Sequence, residues 1–367
     1  MKVNRKQEKR RAKLINSIIE TSVKKYGEGA TLLLSSNGAG SIVKKTISTG
    51  SPELDRILAM DSSGNYGFPV GRVIGISGKE ASGKTTIAIM AMRSVQRMGG
   101  VARLIETEHA FDPGYAKELG LDIDELLISQ PDYLEQGLDM IESDISRFKE
   151  AKFEHREETG EDWNVPMVIV LDSIAGIPPQ AEWEASSFGD NQARGLHARI
   201  LSKFFRKITN LVSSEQICLI CTNQLKTDSA VRFGSKDTEI GGMALKFHAS
   251  LRIDIRRSGF ITKNKDDKEP IGIETAIKTV KNKVLPPYKR VIVPIIFGKG
   301  VDYGISLFNA LEGRGKIKRA KNTYSLKYKL KGEEKTIVGI KKKFLEQLED
   351  VIDKPSIRKK LERMIDS

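Results

Sequence analysis

Apolar runs of β type alternate with amphipathic helical patterns over residues 48–300. The runs predict strands at 73–77, 101–105, 167–171, 217–222, 249–255, 273–280 and 291–295, with helices near 84–98, 113–119, 134–149, 196–212 and 242–247. Because helices separate the first four strands, we expect these strands to form a parallel sheet that is covered on both faces. The later strands follow one another more closely and are expected to form an antiparallel extension.

The two ends of the chain show different patterns. Residues 1 to about 27 predict a basic amphipathic helix, and 41–47 predict a short strand. A helix and a lone strand bury little surface, so they pack either on their own core or on a neighbouring subunit. After residue 300 the pattern changes to helices at 306–311, 337–348 and 355–365 and a strand at 324–331. The sequence therefore predicts an α/β protein with an N-terminal arm (1–47), a core (48–300) and a small basic α+β domain (301–367).

Composition limits the class of protein. The chain has 367 residues, of which 39% are hydrophobic and 30% charged, values typical of a folded globular protein rather than a disordered one. Neither an apolar segment of membrane-spanning length nor a signal-like apolar core is evident, so a cytoplasmic location is expected. The net charge of +13 indicates a polyanionic partner, although solubility alone is an alternative. Cys218 and Cys221 lie three apart in a strand-like run, which favours two buried thiols on opposite faces over a redox or zinc pair.

A phosphate-binding loop is the strongest chemical signal in the sequence. Residues 78–86 read GKEASGKTT and lie between a predicted strand and a predicted helix. Glycines allow backbone N–H groups to turn toward a phosphate chain. Lys84 would reach the β- and γ-phosphates, and the Thr85 hydroxyl would hold Mg²⁺. The residues predicted to bind nucleotide are Gly78, Lys79, Glu80, Ala81, Ser82, Gly83, Lys84, Thr85 and Thr86.

Polar side chains at the ends of three further strands are candidates for the chemistry. Asp172 follows a buried strand, at the usual position of an acid that orients magnesium. Glu106 and Glu108 are both candidates for positioning the attacking water, although a structural hydrogen-bonding role is favoured for Glu106. For His109 a partly buried, hydrogen-bonding role is favoured over that of a base. The amide of Gln224 can hydrogen-bond a γ-phosphate oxygen without charge.

Two long polar segments, 182–195 and 225–241, follow the same edge of the predicted sheet. Loops of this length inside a compact domain are typically functional or disordered, and a plain surface insertion is the alternative. A basic helix follows the first loop, which suits single-stranded nucleic acid unless it is only a solvated face. A glycine pair opens the helix after the second loop, where free N–H groups suit a DNA phosphate. DNA contacts are predicted for Arg199, Ser202, Arg206, Gly241, Gly242 and Met243.

From about residue 14 to 300 the chain resembles the bacterial RecA strand-exchange recombinases. The resemblance lies in ISTGS (47–51), GKEASGKTT (78–86), EHAFDPGYA (108–116), NQ (223–224), FG (233–234), GGMALKF (241–247), DIRR (254–257) and VKNK (280–283). Departures from the family pattern are a first loop that is one or two residues longer, Glu106-Thr107 in place of Asp-Ala, and Met243 in place of Asn.

The resemblance implies a RecA-like core that polymerises on single-stranded DNA as a right-handed filament, with ATP between subunits. It implies that Glu108 is the catalytic glutamate and Gln224 the switch that senses the phosphate. It also places Tyr115 against adenine and Asp112 in the ATP site. ATP and Mg²⁺ are the expected cofactors, and single-stranded DNA, homologous duplex and further copies of the chain are the expected partners.

The same resemblance assigns Lys281 and Lys283 to the phosphates held by a neighbouring subunit, although the sequence alone shows only a basic strand end. The predicted activity is ATP-dependent strand exchange, with hydrolysis releasing the DNA. Two alternatives stay open, namely a nucleotide-regulated DNA-binding scaffold or mediator, and a ring-shaped motor. The N-terminal arm favours filaments, since head-to-tail contacts that do not close generate helices.

Overall fold

The computed structural model describes residues 5–27, 30–31, 43–185, 195–227, 237–239, 242–263, 267–330 and 333–366. The chain divides into two compact units, Met1–Ile42 and Val43–Ser367. The first unit contains helix α1 (Arg5–Tyr26), whose last turn carries Lys24 and Lys25, where positive charge complements the helix dipole. Among the described residues, no helix combines the length and apolar character needed to cross a bilayer.

The second unit holds the other elements. Its helices are α2 (Pro52–Leu58), α3 (Lys84–Arg97), α4 (Pro113–Glu118), α5 (Leu134–Thr159), α6 (Gln180–Trp183), α7 (Leu196–Glu215), α8 (Ala244–His248), α9 (Tyr303–Gly313), α10 (Lys341–Ile352) and α11 (Pro355–Asp366). Its strands are β1 (Thr46–Ile47), β2 (Phe68–Pro69), β3 (Arg72–Gly78), β4 (Val101–Glu106), β5 (Leu126–Ser129), β6 (Met167–Asp172), β7 (Ile217–Thr227), β8 (Asp237–Glu239), β9 (Leu251–Ile261), β10 (Gly272–Asn282), β11 (Arg290–Ile296), β12 (Gly300–Val301), β13 (Ile317–Ala320), β14 (Thr323–Leu330) and β15 (Glu333–Ile340).

Within the described residues, ten strands form one central sheet in the order β12-β11-β10-β9-β3-β7-β6-β4-β5, with β8 paired to β7. Each neighbouring pair from β9 to β5 in this order is parallel, while β12-β11, β11-β10, β10-β9 and β7-β8 are antiparallel pairs. The parallel arrangement predicted for the first four strands is confirmed. The antiparallel extension predicted for the later strands is present in β9, β10 and β11, although β9 also pairs in parallel with β3.

Apolar layers cover both faces of the central sheet. Along β3, Ile74 packs into the layer that contains α3, whereas Val73 packs into the layer that contains α5 and α7. The two cysteines of β7 divide in the same way, with Cys218 in the first layer and Cys221 in the second, as predicted. Both thiols are free and fully buried, and burial raises the pKa of each.

The strand prediction at 41–47 was too long. Of the described residues in this range, Thr46 and Ile47 alone are in strand conformation, and they pair antiparallel with β2 (Phe68–Pro69). Val43, Lys44 and Lys45 are described but are not strand, and residues 41–42 lie outside the described part of the chain.

The C-terminal segment forms a three-stranded sheet, β13-β14-β15, packed against α9, α10 and α11. The small α+β architecture predicted here is confirmed. The helix predicted at 337–348 begins later, because residues 337–340 belong to β15 and the helix starts at Lys341. The segment also joins the core (48–300) directly, since Ser306 Oγ lies 2.6 Å from Ser51 Oγ and Arg56 Nε lies 2.7 Å from an Asp366 carboxylate oxygen.

Near this junction, the half-buried carboxyl group of Glu53 has its pKa raised to about 7 by burial, opposed by the positive charge of Arg314. The folded protein therefore holds this proton more tightly than the unfolded chain, whose pKa is 4.5. The stability contributed by Glu53 is fully present below pH 4.5 and is lost as the pH rises to about 7.

We expect Glu53→Gln to remove this loss. The unfolding free energy of the variant minus that of the parent should rise by roughly 1 kcal/mol between pH 4.5 and pH 8. This value is smaller than the full pKa shift would give, because solvent screens the partly exposed carboxylate. Urea unfolding of both proteins at the two pH values measures the difference. A variant whose relative stability falls over this range would contradict the direction of the shift.

Candidate nucleotide and DNA site

The loop between β3 and α3 folds tightly, and neither of its two glycines can be replaced without strain. A Cβ atom at Gly78 would lie 2.5 Å from the Ile255 carbonyl oxygen, and Gly83 has φ of +97°. Ser82 Oγ donates to the Lys79 carbonyl oxygen at 2.7 Å, which closes the loop. Gly83 is the N-cap of α3 and offers no side-chain cap, so the first N–H groups of the helix can serve a bound anion.

Lys84 lies at the base of this loop, where 9% of its surface is exposed. Its ammonium group donates to the Lys79 carbonyl oxygen at 2.9 Å. Burial lowers the pKa of Lys84, opposed by the negative charges of Asp172, Glu108 and Glu80. A cation beside a glycine cradle, within the electrostatic influence of three carboxylates, fits the phosphate chain of a nucleotide.

Asp172 ends β6 next to the same helix. One of its carboxylate oxygens accepts from Thr85 Oγ1 at 2.7 Å, and the other accepts from Thr222 Oγ1. Burial raises the pKa of Asp172, opposed first by the hydrogen bonds from Thr222 and Thr85. A hydroxyl and a carboxylate side by side are the oxygen ligands that Mg²⁺ takes in a nucleotide site, so these two residues fit that ion.

Glu108, Ser173 and Gln224 come together at the carboxyl edge of the sheet. Ser173 Oγ donates to Glu108 Oε1 at 2.6 Å, and Gln224 Nε2 donates to the same oxygen at 3.0 Å. Gln224 is the register partner of Gly78, the first residue of the phosphate loop. The carboxylate expected to position water and the amide expected to sense phosphate are therefore in direct contact beside that loop.

The neighbouring acid, Glu106, has a structural environment. Its carboxylate accepts from the backbone N–H groups of Glu108 and Ala110 at 3.0 and 3.1 Å, and from Gln130 Nε2 at 2.8 Å. These bonds hold the segment that carries Glu108. The partly buried position expected for His109 was wrong, because His109 is exposed and has φ of +53°.

Asp112 and Tyr115 lie at the start of α4, on the other side of the loop. Asp112 Oδ1 accepts from the N–H groups of Gly114 and Tyr115 at 2.8 and 3.1 Å, so Asp112 caps the helix. The Tyr115 hydroxyl lies 2.9 Å from Thr86 Oγ1. Asp112 thus fixes the turn that holds the tyrosine ring next to the nucleotide-binding loop.

Lys281 and Lys283 lie toward the amino ends of the parallel strands, whereas the phosphate loop lies at the carboxyl ends. Lys281 pairs with Arg252 of β9, which in turn pairs with Gly75 of β3. The phosphate loop begins three residues farther along β3, a distance of about 10 Å, and continues away from the lysines. Since the lysines are near the amino end of β3, the structure separates them from the phosphate loop of their own chain.

The ammonium group of Lys281 donates to the carbonyl oxygens of Lys246 and Phe247 at 2.7 and 2.8 Å, at the end of α8. Burial lowers the pKa of His248, and the nearby charges of Arg206, Lys281 and Lys283 lower it further. The charge of Arg206, one of the residues predicted to contact DNA, therefore acts on the same histidine as the charges of both lysines.

The exit of the second loop meets the start of α7. A Cβ atom at Gly242 would lie 3.0 Å from the Ala198 Cβ atom, and Met243 is 52% exposed. Arg199 and Arg206 are exposed on α7, and Ser202 lies between them, donating to the Ala198 carbonyl oxygen at 2.7 Å. Five of the residues predicted to contact DNA thus lie on α7 or on the turn that meets it. The sixth, Gly241, lies outside the described residues.

The two loops are described only in part. Residues 182–183 belong to α6, and residues 186–194 lie outside the described part of the chain. The second segment was predicted to be a loop, but both of its described ends are strands. Leu225 pairs with Glu239 and Thr227 with Asp237, which forms the base of a hairpin. β7 thus runs without interruption from Gln224 into the second loop.

Ser173 is a site residue that the sequence did not reveal, although it directly follows Asp172. It is fully buried, and its backbone N–H and carbonyl groups both bond to Thr107 Oγ1, at 2.8 and 2.7 Å. Its hydroxyl is therefore held in a fixed position against Glu108.

We expect Ser173→Ala to lower kcat for ATP hydrolysis about 10-fold, because the Glu108 carboxylate loses one of its two side-chain donors and part of its alignment. Nucleotide affinity should change little, as Ser173 does not touch the phosphate loop. Steady-state ATPase assays and nucleotide titrations measure both quantities. Ser146→Ala, on α5, is the matched control. An unchanged kcat for Ser173→Ala would remove Ser173 from the site.

A family model and several known proteins that are similar to this chain all indicate the same family. The family model described as the RecA N-terminal domain matches residues 13–302. The Protein RecA of Thermotoga maritima is 38% identical over 360 residues, which cover 98% of this chain and 92% of the relative. The Protein RecA of Chlorobaculum parvum is 41% identical over 310 residues, covering 84% and 82%. The Protein RecA of Borrelia hermsii is 40% identical over 303 residues, covering 83% and 78%. The resemblance drawn from the sequence segments is confirmed.

Proposed function

This chain belongs to the RecA family, and we propose how its own residues couple ATP to DNA. As a family member it is a DNA-dependent ATPase that forms filaments on single-stranded DNA and pairs that DNA with homologous duplex. The contact between Glu108 and Gln224 is the main support for this proposal. It links the carboxylate proposed to act in hydrolysis to β7, the strand that leads into the second loop.

In the proposed site the loop 78–86 wraps the phosphates of ATP, with Lys84 on the β- and γ-phosphates. Thr85 and Asp172 would hold Mg²⁺, which would offset phosphate charge when bound. Tyr115 lies against the base. Glu108 orients the attacking water and accepts its proton, while Ser173 keeps the carboxylate aligned.

Gln224 is proposed to leave Glu108 and hydrogen-bond the γ-phosphate when ATP is present. Since Gln224 is in β7, that movement would be transmitted along the strand to the loop beyond Thr227. The loops and α7 then grip single-stranded DNA through Arg199, Arg206 and the N–H groups near Gly242. After hydrolysis the γ-phosphate is lost, Gln224 returns to Glu108, and the grip relaxes.

Lys281 and Lys283 are proposed to act on the ATP of a neighbouring subunit. Their separation from the phosphate loop of the same chain supports this arrangement, because a head-to-tail neighbour can present one edge of its sheet to the opposite edge of the next. Positive charge supplied in this way offsets charge that develops during phosphoryl transfer, as an arginine finger does.

ATP turnover measured with and without poly(dT) tests the proposed function. We expect strong stimulation by the polynucleotide. A turnover rate that single-stranded DNA leaves unchanged would contradict the proposal and favour a scaffold whose nucleotide only regulates assembly.

A further inference from the structure

Three consecutive residues at the end of β6 contact three different parts of the site. Asp172 bonds to Thr85 of the phosphate-loop helix, and Ser173 bonds to Glu108. The third, Ile174, is fully buried, and its carbonyl oxygen lies 3.0 Å from Nε2 of His197. His197 is the second residue of α7, the helix that carries the predicted DNA contacts. This side-chain hydrogen bond therefore joins the hydrolytic end of β6 to the helix that carries the predicted DNA contacts.

The chemistry of the bond fixes the state of the ring. A carbonyl oxygen can only accept, so Nε2 of His197 carries the proton and donates. Burial lowers the pKa of His197, opposed by the Ile174 carbonyl group and by the charges of Glu182 and Glu135. The lowered pKa favours the neutral imidazole, with one donor directed at Ile174.

The other ring nitrogen, Nδ1, is buried and has no hydrogen-bond partner among the residues that the structure describes. Burying an acceptor without a partner costs free energy. The ring bears this cost at Nδ1 while Nε2 satisfies the Ile174 carbonyl oxygen. Its distinguishing property is the Nε2 donor.

The position of His197 connects it to both loops. The first loop enters α7 through Gly195, two residues before the ring. The residue after the ring, Ala198, is in contact range of Gly242, at the exit of the second loop. The peptide N–H group of Ile174 donates to the Thr222 carbonyl oxygen at 3.1 Å, on the strand that carries Gln224. A displacement of the start of α7 would therefore act directly on the segment that aligns Ser173.

We propose that His197 is a positioning residue that couples DNA binding to ATP hydrolysis through its hydrogen bond to Ile174. The inference rests on the proposed function, since it concerns how the same site senses DNA. Single-stranded DNA held by the loops fixes the start of α7, and His197 transmits that position to Ile174 and the adjacent Ser173. Glu108 is aligned as a consequence. Coupling is reciprocal, so the same bond lets bound ATP tighten the grip on DNA.

The experiment compares four substitutions in the full-length chain. His197→Gln keeps an N–H donor at the distance of Nε2, whereas His197→Leu fills the space without a donor. His197→Asn keeps an amide that is one methylene too short. Thr209→Ala is the control, because it removes a hydrogen bond to Phe205 within α7 without touching Ile174. Each variant is assayed for ATP turnover with and without poly(dT), for its oligo(dT) Kd with ATPγS and with ADP, and for Tm.

For His197→Leu and His197→Asn we expect two quantities to fall by about 5-fold or more, the scale of an allosteric coupling. One is the stimulation of ATP turnover by poly(dT), and the other is the oligo(dT) Kd with ADP divided by the Kd with ATPγS. DNA-free turnover should stay within about twofold, and His197→Gln and Thr209→Ala should behave as the parent. If His197→Leu does not fold, the comparison of His197→Gln with His197→Asn tests the inference by itself.

Normal coupling in both Leu and Asn variants would overturn the inference. An equal loss of coupling in the Gln, Leu and Asn variants would also overturn it, because that result would show that His197 acts through the packing of its ring rather than through the Nε2 donor. A parent protein that single-stranded DNA does not stimulate would instead contradict the proposed function, so the two failures are distinguishable.

Discussion

Replacing Glu108 by glutamine is expected to lower kcat for DNA-stimulated ATP hydrolysis by a factor of about 10² to 10⁴. The amide cannot accept a proton from water, but it keeps the volume of the side chain and an oxygen that can accept from Ser173. ATP binding should persist, because Lys84 and Thr85 are unchanged. The variant should therefore remain on single-stranded DNA in the ATP-bound state.

Two measurements check this prediction, namely the release of phosphate and the lifetime of DNA complexes after excess competitor DNA is added. The exposed Glu125→Gln serves as the matched control, because it makes the same change of charge away from the site. Hydrolysis at the parent rate by Glu108→Gln would show that another group orients the water.

The double substitution Lys281→Ala, Lys283→Ala is expected to lower DNA-stimulated turnover by about 10³-fold, in line with the loss of an arginine finger. The reason is that the γ-phosphate loses the positive charge that a neighbour supplies. Lys278→Ala, Lys289→Ala is the matched control, since it removes two exposed lysines, one from β10 and one from the turn that follows it.

Mixing two inactive variants tests the direction of this contribution. A Lys84→Ala chain has a defective phosphate loop but retains Lys281 and Lys283, whereas the double variant has an intact loop and lacks the lysines. In a mixed filament the first can supply lysines to the second, so part of the activity should return. Mixtures that stay as inactive as their components would place the lysines outside a shared site.

The local sequence was sufficient to predict the phosphate loop and most strands of the central sheet. Residues 78–86 specify their own conformation through glycines and a following helix, and the buried strands are continuous apolar runs. The edge strand β5 was not predicted, because it is short and half of it is exposed. The last ten residues of α5 were missed for a similar reason. No residue of that helix after Phe148 is buried, so the apolar period stops while the helix continues.

The connections within the site depend on contacts between residues that are distant in sequence. Ser173 and Glu108 are 65 positions apart, and Gln224 and Glu108 are 116 apart. The strand order brings them together, and no local pattern encodes that order. The polar residue types at strand ends did indicate Asp172, Glu108 and Gln224. The serine hydroxyl and the His197 ring carried no comparable signal, since serine and histidine have many other roles.

The central claim is that ATP bound between subunits sets how tightly single-stranded DNA is held. The most direct measurement is the Kd of labelled oligo(dT) at one fixed salt concentration with ATPγS, with ADP and without nucleotide. We predict markedly tighter binding with ATPγS than in the other two conditions, and loss of this difference in Gln224→Ala. Equal affinities of the parent protein in all three conditions would contradict the claim.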